Sequence, residues 1–114
     1  MKILFILNNY YGHGNGLAAS ARRTVHAFRD AGHEVRVVSG PNSDPNGPKP
    51  DYELKWFHFP VFQPIIDAQG YNFASTDKKI IEEAMRWADV VHVEEPMVLE
   101  ARACRIARRL GKPV

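Results

Sequence analysis

Hydrophobic and polar positions along the chain switch between strand-like and helix-like spacing. Lys2 to Leu7 is an almost unbroken apolar run, which is typical of a parallel strand covered by helices on both faces. From about Leu17 to Ala31 apolar side chains recur at helical spacing, with charged side chains on the opposite face. Gly32 stands where a helix C-terminal glycine is expected, and Glu34 to Ser39 resumes a strand. The chain is therefore predicted to open with a β-α-β unit.

The later elements are less regular, but they continue the alternation of strands and helices. In order, the pattern predicts a loop over Pro41 to Asp51, an edge strand over Tyr52 to Phe59 and a helix from Ser75 or Thr76 to Trp87. A strand over Asp89 to Val93 and a last helix follow. The buried stripe of that helix contains Leu99, Ala103, Ile106 and Leu110. The apolar segment from Pro60 to Ala74 either covers the core or contacts a ligand. The predicted fold class is α/β, a Rossmann-like doubly wound parallel sheet with strand order 3-2-1-4-5.

Two stretches of this sheet are expected to meet at one crevice. Strand order 3-2-1-4-5 puts the switch point between the first and fourth strands, and ligands of such sheets bind beyond the carboxyl ends of the strands there. Asn8 to Gly16 and His92 to Glu95 would line its two sides. We call this place the candidate crevice.

The candidate crevice contains a glycine-rich turn at the head of a helix. Gly12, Gly14 and Gly16 allow the backbone to come close to a ligand, and a helix N-terminus offers free N–H groups to a phosphate or carboxylate. A turn without ligand contact is the alternative, but three glycines exceed what turning needs. A dinucleotide fingerprint fails, because Leu17 stands at its last glycine and Ser39 at its acidic ribose ligand. The chain also has no GxxxxGK[ST] phosphate loop.

Composition narrows the function classes further. The chain has 114 residues, enough for one domain, with 15 basic and 13 acidic residues and a net charge of +2, which does not predict nucleic-acid binding. The single cysteine, Cys104, fits a reducing cytoplasm, and the histidines lack metal-ligand spacing, so we expect neither a metal nor a cofactor. The N-terminal apolar run is too short for a membrane span and has no signal-peptide pattern.

A few polar residues remain as candidates for chemistry. His92 is either a residue of the candidate crevice or a structural histidine hydrogen-bonded beneath the turn. Glu94 and Glu95 are adjacent and point apart, so a cooperating carboxylate pair is not expected, and helix capping is their alternative role. An arginine face on the last helix is either solvated or meets anionic lipid.

Several of these motifs together resemble a known family. The chain resembles the N-terminal domain of the retaining, family 4 glycosyltransferases of GT-B fold, in which five segments occur in the same order and spacing. They are the opening strand, Asn15-Gly16 at the head of the first helix, Gly32-His33-Glu34-Val35, Asp89-Val90-Val91-His92 and the closing Gly111-Lys112-Pro113-Val114. The resemblance covers nearly the whole chain. Asn15 departs from the family by replacing the first glycine of a pair, and Glu94 stands where many members have histidine.

The resemblance implies both a function and an incomplete active site. It implies an acceptor-side domain, residues 1–114, of an enzyme that moves a sugar from a nucleotide-sugar donor to a hydroxyl acceptor, with a donor-binding C-terminal domain beyond it. The donor is then a co-substrate, and the acceptor is a sugar or a lipid. The implied substrate-binding residues are Gly12, Gly14, Asn15, Gly16, His92 and Glu94, with His92 as the catalytic candidate. Such an enzyme is expected in the cytoplasm, with peripheral contact at the inner membrane face.

Two rival functions share the architecture. A nucleotide-sugar epimerase of GT-B fold would differ in the sequence beyond Val114. A non-enzymatic flavodoxin-like or receiver-like binding module is the other rival. A receiver needs acidic residues after the first strand, where this chain has Asn8 and Asn9.

Overall fold

The most continuous apolar strand lies inside a parallel sheet. The computed structural model describes residues 1–11, 16–42, 46–56, 64, 74–94 and 98–114. The strands named here are β1 (Lys2–Ile6), β2 (Glu34–Ser39), β3 (Tyr52–Glu53) and β4 (Val90–Val93), and the helices are α1 (Gly16–Asp30), α2 (Lys78–Trp87) and α3 (Val98–Arg109). The described strands lie in the order β3-β2-β1-β4, and every pair between them is parallel. This confirms the first four strands of the predicted order 3-2-1-4-5, and a fifth strand is not present among the described residues. It places β1 beside β4 at the switch point.

Helices cover the two faces of the sheet separately. On one face Phe5 of β1 and Val37 of β2 pack with Val25 of α1. On the other face Leu4 and Ile6 pack with residues of α2 and α3, including Ile81 and Leu99. Alternate residues of β1 therefore serve opposite cores, which is why the strand reads as a continuous apolar run. The predicted doubly wound, Rossmann-like arrangement is confirmed.

The edge strand is shorter than predicted. The sequence favoured Tyr52 to Phe59, whereas β3 is Tyr52–Glu53. Leu54 still donates its amide to the Ser39 carbonyl, but Trp56 then forms an antiparallel bridge with Ala74. The chain leaves β2 because the Trp56 ring packs over Gly40, where an added Cβ would lie 2.3 Å from a ring carbon. The segment around Trp56, which has a strand-like sequence, thus leaves the sheet and covers the backbone of Gly40.

The second helix begins later than predicted. Neither Ser75 nor Thr76 is the N-cap, because the Ser75 amide donates to the Lys55 carbonyl and the chain is still paired there. Asp77 caps α2 instead, and its Oδ1 accepts from the amides of Lys79 at 3.0 Å and Ile80 at 3.3 Å. A carboxylate satisfies free N–H groups and also complements the helix dipole.

The glycines that end helices behave as predicted. Gly32, after α1, has φ of +93° and Gly111, after α3, has φ of +71°. Beyond Gly111, the Pro113 carbonyl accepts from the Val91 amide at 2.9 Å, so the chain after α3 approaches the outer side of β4. The predicted ligand or core contacts of residues 60–63 and 65–73 lie outside the described residues.

Candidate substrate-binding crevice

A buried asparagine closes the carboxyl end of β1. Asn8 is 1% exposed, and its Nδ2 donates to the Glu100 carboxylate, at 3.1 Å from Oε1. Its Oδ1 accepts from the Ala74 amide at 2.9 Å, and its backbone carbonyl accepts from the Gly40 amide at 3.0 Å. We call the two side-chain contacts the Asn8 bridge. One amide side chain thus connects the central strand to α3 and to the segment before α2.

Glu100 is an acidic side chain inside the core. It lies in the first turn of α3 and is 2% exposed. Ala103 and Ala107 follow on the same helical face and are also buried. A buried carboxylate is costly without partners, and the Asn8 amide together with the positive end of the α3 dipole supplies compensation.

His92 and Glu94 form a pair at the end of β4. His92 lies opposite Phe5 in the sheet register, and the two rings stack with centroids 4.4 Å apart. Glu94 follows two residues later on the same side of the strand, and its Oε1 lies 2.9 Å from His92 Nε2. The His92 side chain is 45% exposed and that of Glu94 is 13% exposed. The carboxylate therefore orients an accessible imidazole on the α1 face of the sheet.

The pair lies beside the end of β1. Ile6 is opposite Val93 in the register, and the Glu94 amide donates to the Ile6 carbonyl at 3.4 Å. Because parallel strands end at the same edge, Glu94 and the chain that leaves β1 share that edge. Asn8 and Glu94 of the two predicted stretches therefore lie at the same edge, whereas residues 12–15 and 95 lie outside the described residues.

The first helix begins at this edge without an acidic residue. Gly16 is the first residue of α1, and the first turn of the helix contains no acidic side chain. Among the described residues, an ideal Cβ at Gly16 would meet nothing within 4 Å. Arg22 lies six residues further along α1, and its Nη1 donates to the Tyr10 carbonyl at 2.7 Å, which holds the chain before the glycine turn against the helix.

Two tyrosines line the route from β1 to the glycine turn. The rings of Tyr10 and Tyr11 meet edge to face, with centroids 4.9 Å apart. Burial raises the pKa of the Tyr10 hydroxyl above its ordinary value of 10.0, against a smaller opposing effect of Arg29. Burial also raises the pKa of Tyr11, with the neighbouring Tyr10 adding to the effect. Both hydroxyls are therefore neutral hydrogen-bonding groups at physiological pH.

The end of β2 has no acidic ribose ligand. Ser39 is fully buried, and its hydroxyl donates to the Gly40 carbonyl at 2.9 Å. The Ser39 hydroxyl is thus engaged in a hydrogen bond within the sheet, at the position where a dinucleotide-binding protein would present a carboxylate. This agrees with the sequence argument against a dinucleotide site.

Comparison with known families identifies the chain. The family model described as Glycosyltransferase Family 4 matches residues 14–114. The chain belongs to glycosyltransferase family 4. The match confirms the resemblance to the N-terminal domain of such transferases. Neither the curated proteins nor the solved structures include a significant match to the chain.

For this family 4 domain, the predicted site residues fall into two groups. Gly16, His92 and Glu94 are described and lie at the same end of the sheet, whereas Gly12, Gly14 and Asn15 lie outside the described residues. No observation tests whether any of them contacts a substrate, and those roles stay predictions.

Sequence reasoning missed the residues that hold the crevice together. The sequence places Asn8 in the stretch that lines the candidate crevice but predicts no contact for its side chain, and it predicts no role for Glu100. One sequence feature indicated Glu100: it is an acidic residue on an otherwise apolar helix face, three residues before Ala103 and seven before Ala107.

The described part of the chain lacks the features of a metal centre and of a helical membrane span. Among those residues no group of three or more histidine, cysteine, aspartate or glutamate side chains is placed to hold a metal ion. None of the described helices is long and apolar enough to cross a bilayer.

Proposed function

We propose that the chain is the acceptor-side domain of a retaining glycosyltransferase of GT-B fold. The whole enzyme would transfer a hexose from a nucleotide-sugar donor to a hydroxyl acceptor, without a further cofactor. One observation carries the proposal: in a chain of family 4, the head of α1 and the His92–Glu94 pair flank the same end of β1. A second domain would supply the nucleotide pocket and the other wall of the crevice.

In this proposal the start of α1 faces the negative charge of the reaction. Sugar transfer leaves a nucleotide diphosphate, whose charge grows as the bond to the sugar breaks. The amides at Gly16 and in the preceding turn of Gly12, Gly14 and Asn15 would donate to that diphosphate or to the acceptor. Because the first turn of α1 contains no acidic residue, a negatively charged ligand would meet no like charge there.

His92 is the proposed catalytic candidate of this wall. With Nε2–H donating to Glu94, Nδ1 remains to accept a hydrogen bond from a sugar hydroxyl, and protonation at Nδ1 would make it a donor instead. Stacking on Phe5 and pairing with Glu94 fix the ring, so the substrate would meet an already oriented group. We assign Glu94 to orientation of His92 as well as to the substrate contact predicted from the sequence.

The acceptor is proposed to be a sugar or a lipid hydroxyl. A lipid acceptor would bring the enzyme to the inner face of the cytoplasmic membrane, where peripheral contact would suffice.

Transfer by the whole protein tests the function. Labelled nucleotide sugars are offered with sugar and lipid acceptors, and NMR of the product gives the anomeric configuration. We expect a new glycoside with the donor's configuration, and a fall in transfer in the variants His92→Ala and Glu94→Gln. Gly32→Ala serves as a control for general destabilisation, because Gly32 lies at the far end of α1. Interconversion of the nucleotide sugar without any acceptor would instead identify an epimerase.

A further inference from the structure

A basic groove lies between the start of α2 and the flank of α3. Its volume is about 300 Å³, and it is lined by Lys78, Arg102, Arg105, Ile106 and Arg109. The three arginines are spaced three and four residues apart, so they lie along one side of α3. Four cationic side chains and one apolar residue therefore surround a concavity. We call it the basic groove.

Only part of this positive charge is neutralised by the protein. Glu82 lies 3.9 Å from Lys78, and it also pairs with Arg109 and with Arg86 outside the groove. Within the described part of the chain, Arg102 and Arg105 make no ion pair. A single carboxylate is thus shared among several cations, while no described carboxylate pairs with the other two arginines of the groove.

Such clustering disfavours the helix unless an anion is present. Like charges three or four residues apart on a helix repel each other, and a concave surface focuses their potential. Arginine side chains bind phosphate oxygens through two parallel N–H donors, and Ile106 offers an apolar contact beside them. We propose that the basic groove is a binding site for a phosphate-bearing ligand.

The basic groove extends away from the candidate crevice. It includes Arg102, two residues after Glu100 of the Asn8 bridge, and it reaches Arg109, nine residues after Glu100. At the rise of an α-helix this is roughly 13 Å further along the axis. The basic groove also lies on the face of the sheet opposite α1. Its occupancy can therefore be measured without any sugar transfer, and it does not depend on the proposed function.

The phosphate could belong to a soluble compound or to an anionic lipid headgroup, and one experiment separates the two. The chain is titrated with inorganic pyrophosphate by calorimetry, and its flotation with phosphatidylcholine vesicles is compared with and without phosphatidic acid. The test variant is Arg102→Gln/Arg105→Gln. The control is Arg23→Gln/Arg108→Gln, which removes the same charge from exposed positions outside the groove. Circular dichroism checks the fold of each variant.

We expect the wild type and the control to bind alike and the test variant to bind at least about tenfold more weakly, as loss of charge-assisted contacts predicts. Binding of pyrophosphate identifies a soluble ligand class, and binding to acidic vesicles alone identifies a headgroup. A methyl NMR titration of Ile106 in the wild type gives a second measurement if the test variant does not fold. Equal binding by all three proteins, an unmoved Ile106 signal, or no binding in either arm would overturn the proposal.

Discussion

Gly16 and Gly32 lie at opposite ends of α1, and they differ in what their backbone requires. Gly32 has φ of +93°, a conformation that other residues adopt only with strain, whereas Gly16 has no positive φ and open space around it. The backbone conformation therefore explains Gly32, whereas the described residues place no steric demand on Gly16. Close approach by a substrate stays our prediction for Gly16.

This difference gives the first prediction. Gly16→Val should leave the unfolding midpoint nearly unchanged but lower sugar transfer by the whole protein, because the new side chain fills the space beside the start of α1. Gly32→Ala, the matched control, should lose roughly 1–2 kcal/mol of stability from its left-handed backbone and keep its specific activity. Urea unfolding and transfer assays measure the two effects. Unchanged transfer in folded Gly16→Val would mean that the glycine makes only a turn.

Tyr10 and Tyr11 give a prediction about alkaline pH. Burial raises the pKa of each hydroxyl above 10.0 in the folded chain, so the folded state binds protons more tightly than the unfolded state. Their contribution to stability is then complete below pH 10.0 and falls as the pH rises through the raised values. The free energy of unfolding, measured from about pH 8 to about pH 11, should decline less in Tyr10→Phe/Tyr11→Phe than in the wild type. Parallel curves would show that other groups cause the decline.

At the scale of elements, the Asn8 bridge joins pieces that are distant in sequence. Asn8→Ala removes the partner of the Ala74 amide and a donor to the buried Glu100 carboxylate. We expect the free energy of unfolding to fall by about 3 kcal/mol, since the buried Ala74 amide loses this acceptor and the buried Glu100 carboxylate loses this donor. Asn9→Ala is the control, because Asn9 is the neighbouring asparagine and is outside the bridge; its change should stay within about 0.5 kcal/mol. A loss in Asn8→Ala no larger than in the control would show that the bridge contributes nothing.

The elements that could be read from sequence are those whose burial pattern is regular. β1 is apolar because helices cover both of its faces, β2 alternates exposed and buried residues before its buried end, and α1 has a clear apolar stripe ending in a glycine. Their pairing in the sheet follows from chain order and the handedness of crossovers. These parts of the prediction are confirmed because local pattern and tertiary packing agree.

The elements that were missed depend on contacts between distant residues. Trp56 leaves the sheet because Gly40 offers a bare backbone, which no local pattern around Trp56 reveals. Asp77 is the cap because Ser75 is engaged with Lys55, and the burial of Glu100 depends on an amide 92 residues away in the sequence. In the candidate crevice, His92 and Glu94 could be predicted from the sequence, whereas the contact between their side chains could not.

At the scale of the molecule, the proposed enzyme would use the described residues as one wall of its crevice. The sheet positions the head of α1 and the His92–Glu94 pair at one edge, and the α1 side of His92 is open to solvent. Open groups of this kind stabilise charge weakly, because water competes for their hydrogen bonds and screens their dipoles. A closed site needs a second surface over the same edge, which the proposed two-domain arrangement would provide.

The last prediction follows from this geometry. Residues 1–114 alone should neither transfer sugar nor bind a nucleotide sugar with micromolar affinity, because the amides at the start of α1 and one imidazole would face a solvated ligand. Micromolar binding corresponds to about 8 kcal/mol, more than a few solvated hydrogen bonds supply. Calorimetry with a panel of nucleotide sugars measures the binding, and labelled donors measure the transfer. Pyrophosphate serves as the comparison, since binding to the basic groove would be lost in Arg102→Gln/Arg105→Gln. Tight, stoichiometric binding that requires the nucleoside and persists in that variant would mean that this domain holds the donor itself, and its assignment to the acceptor side would be wrong.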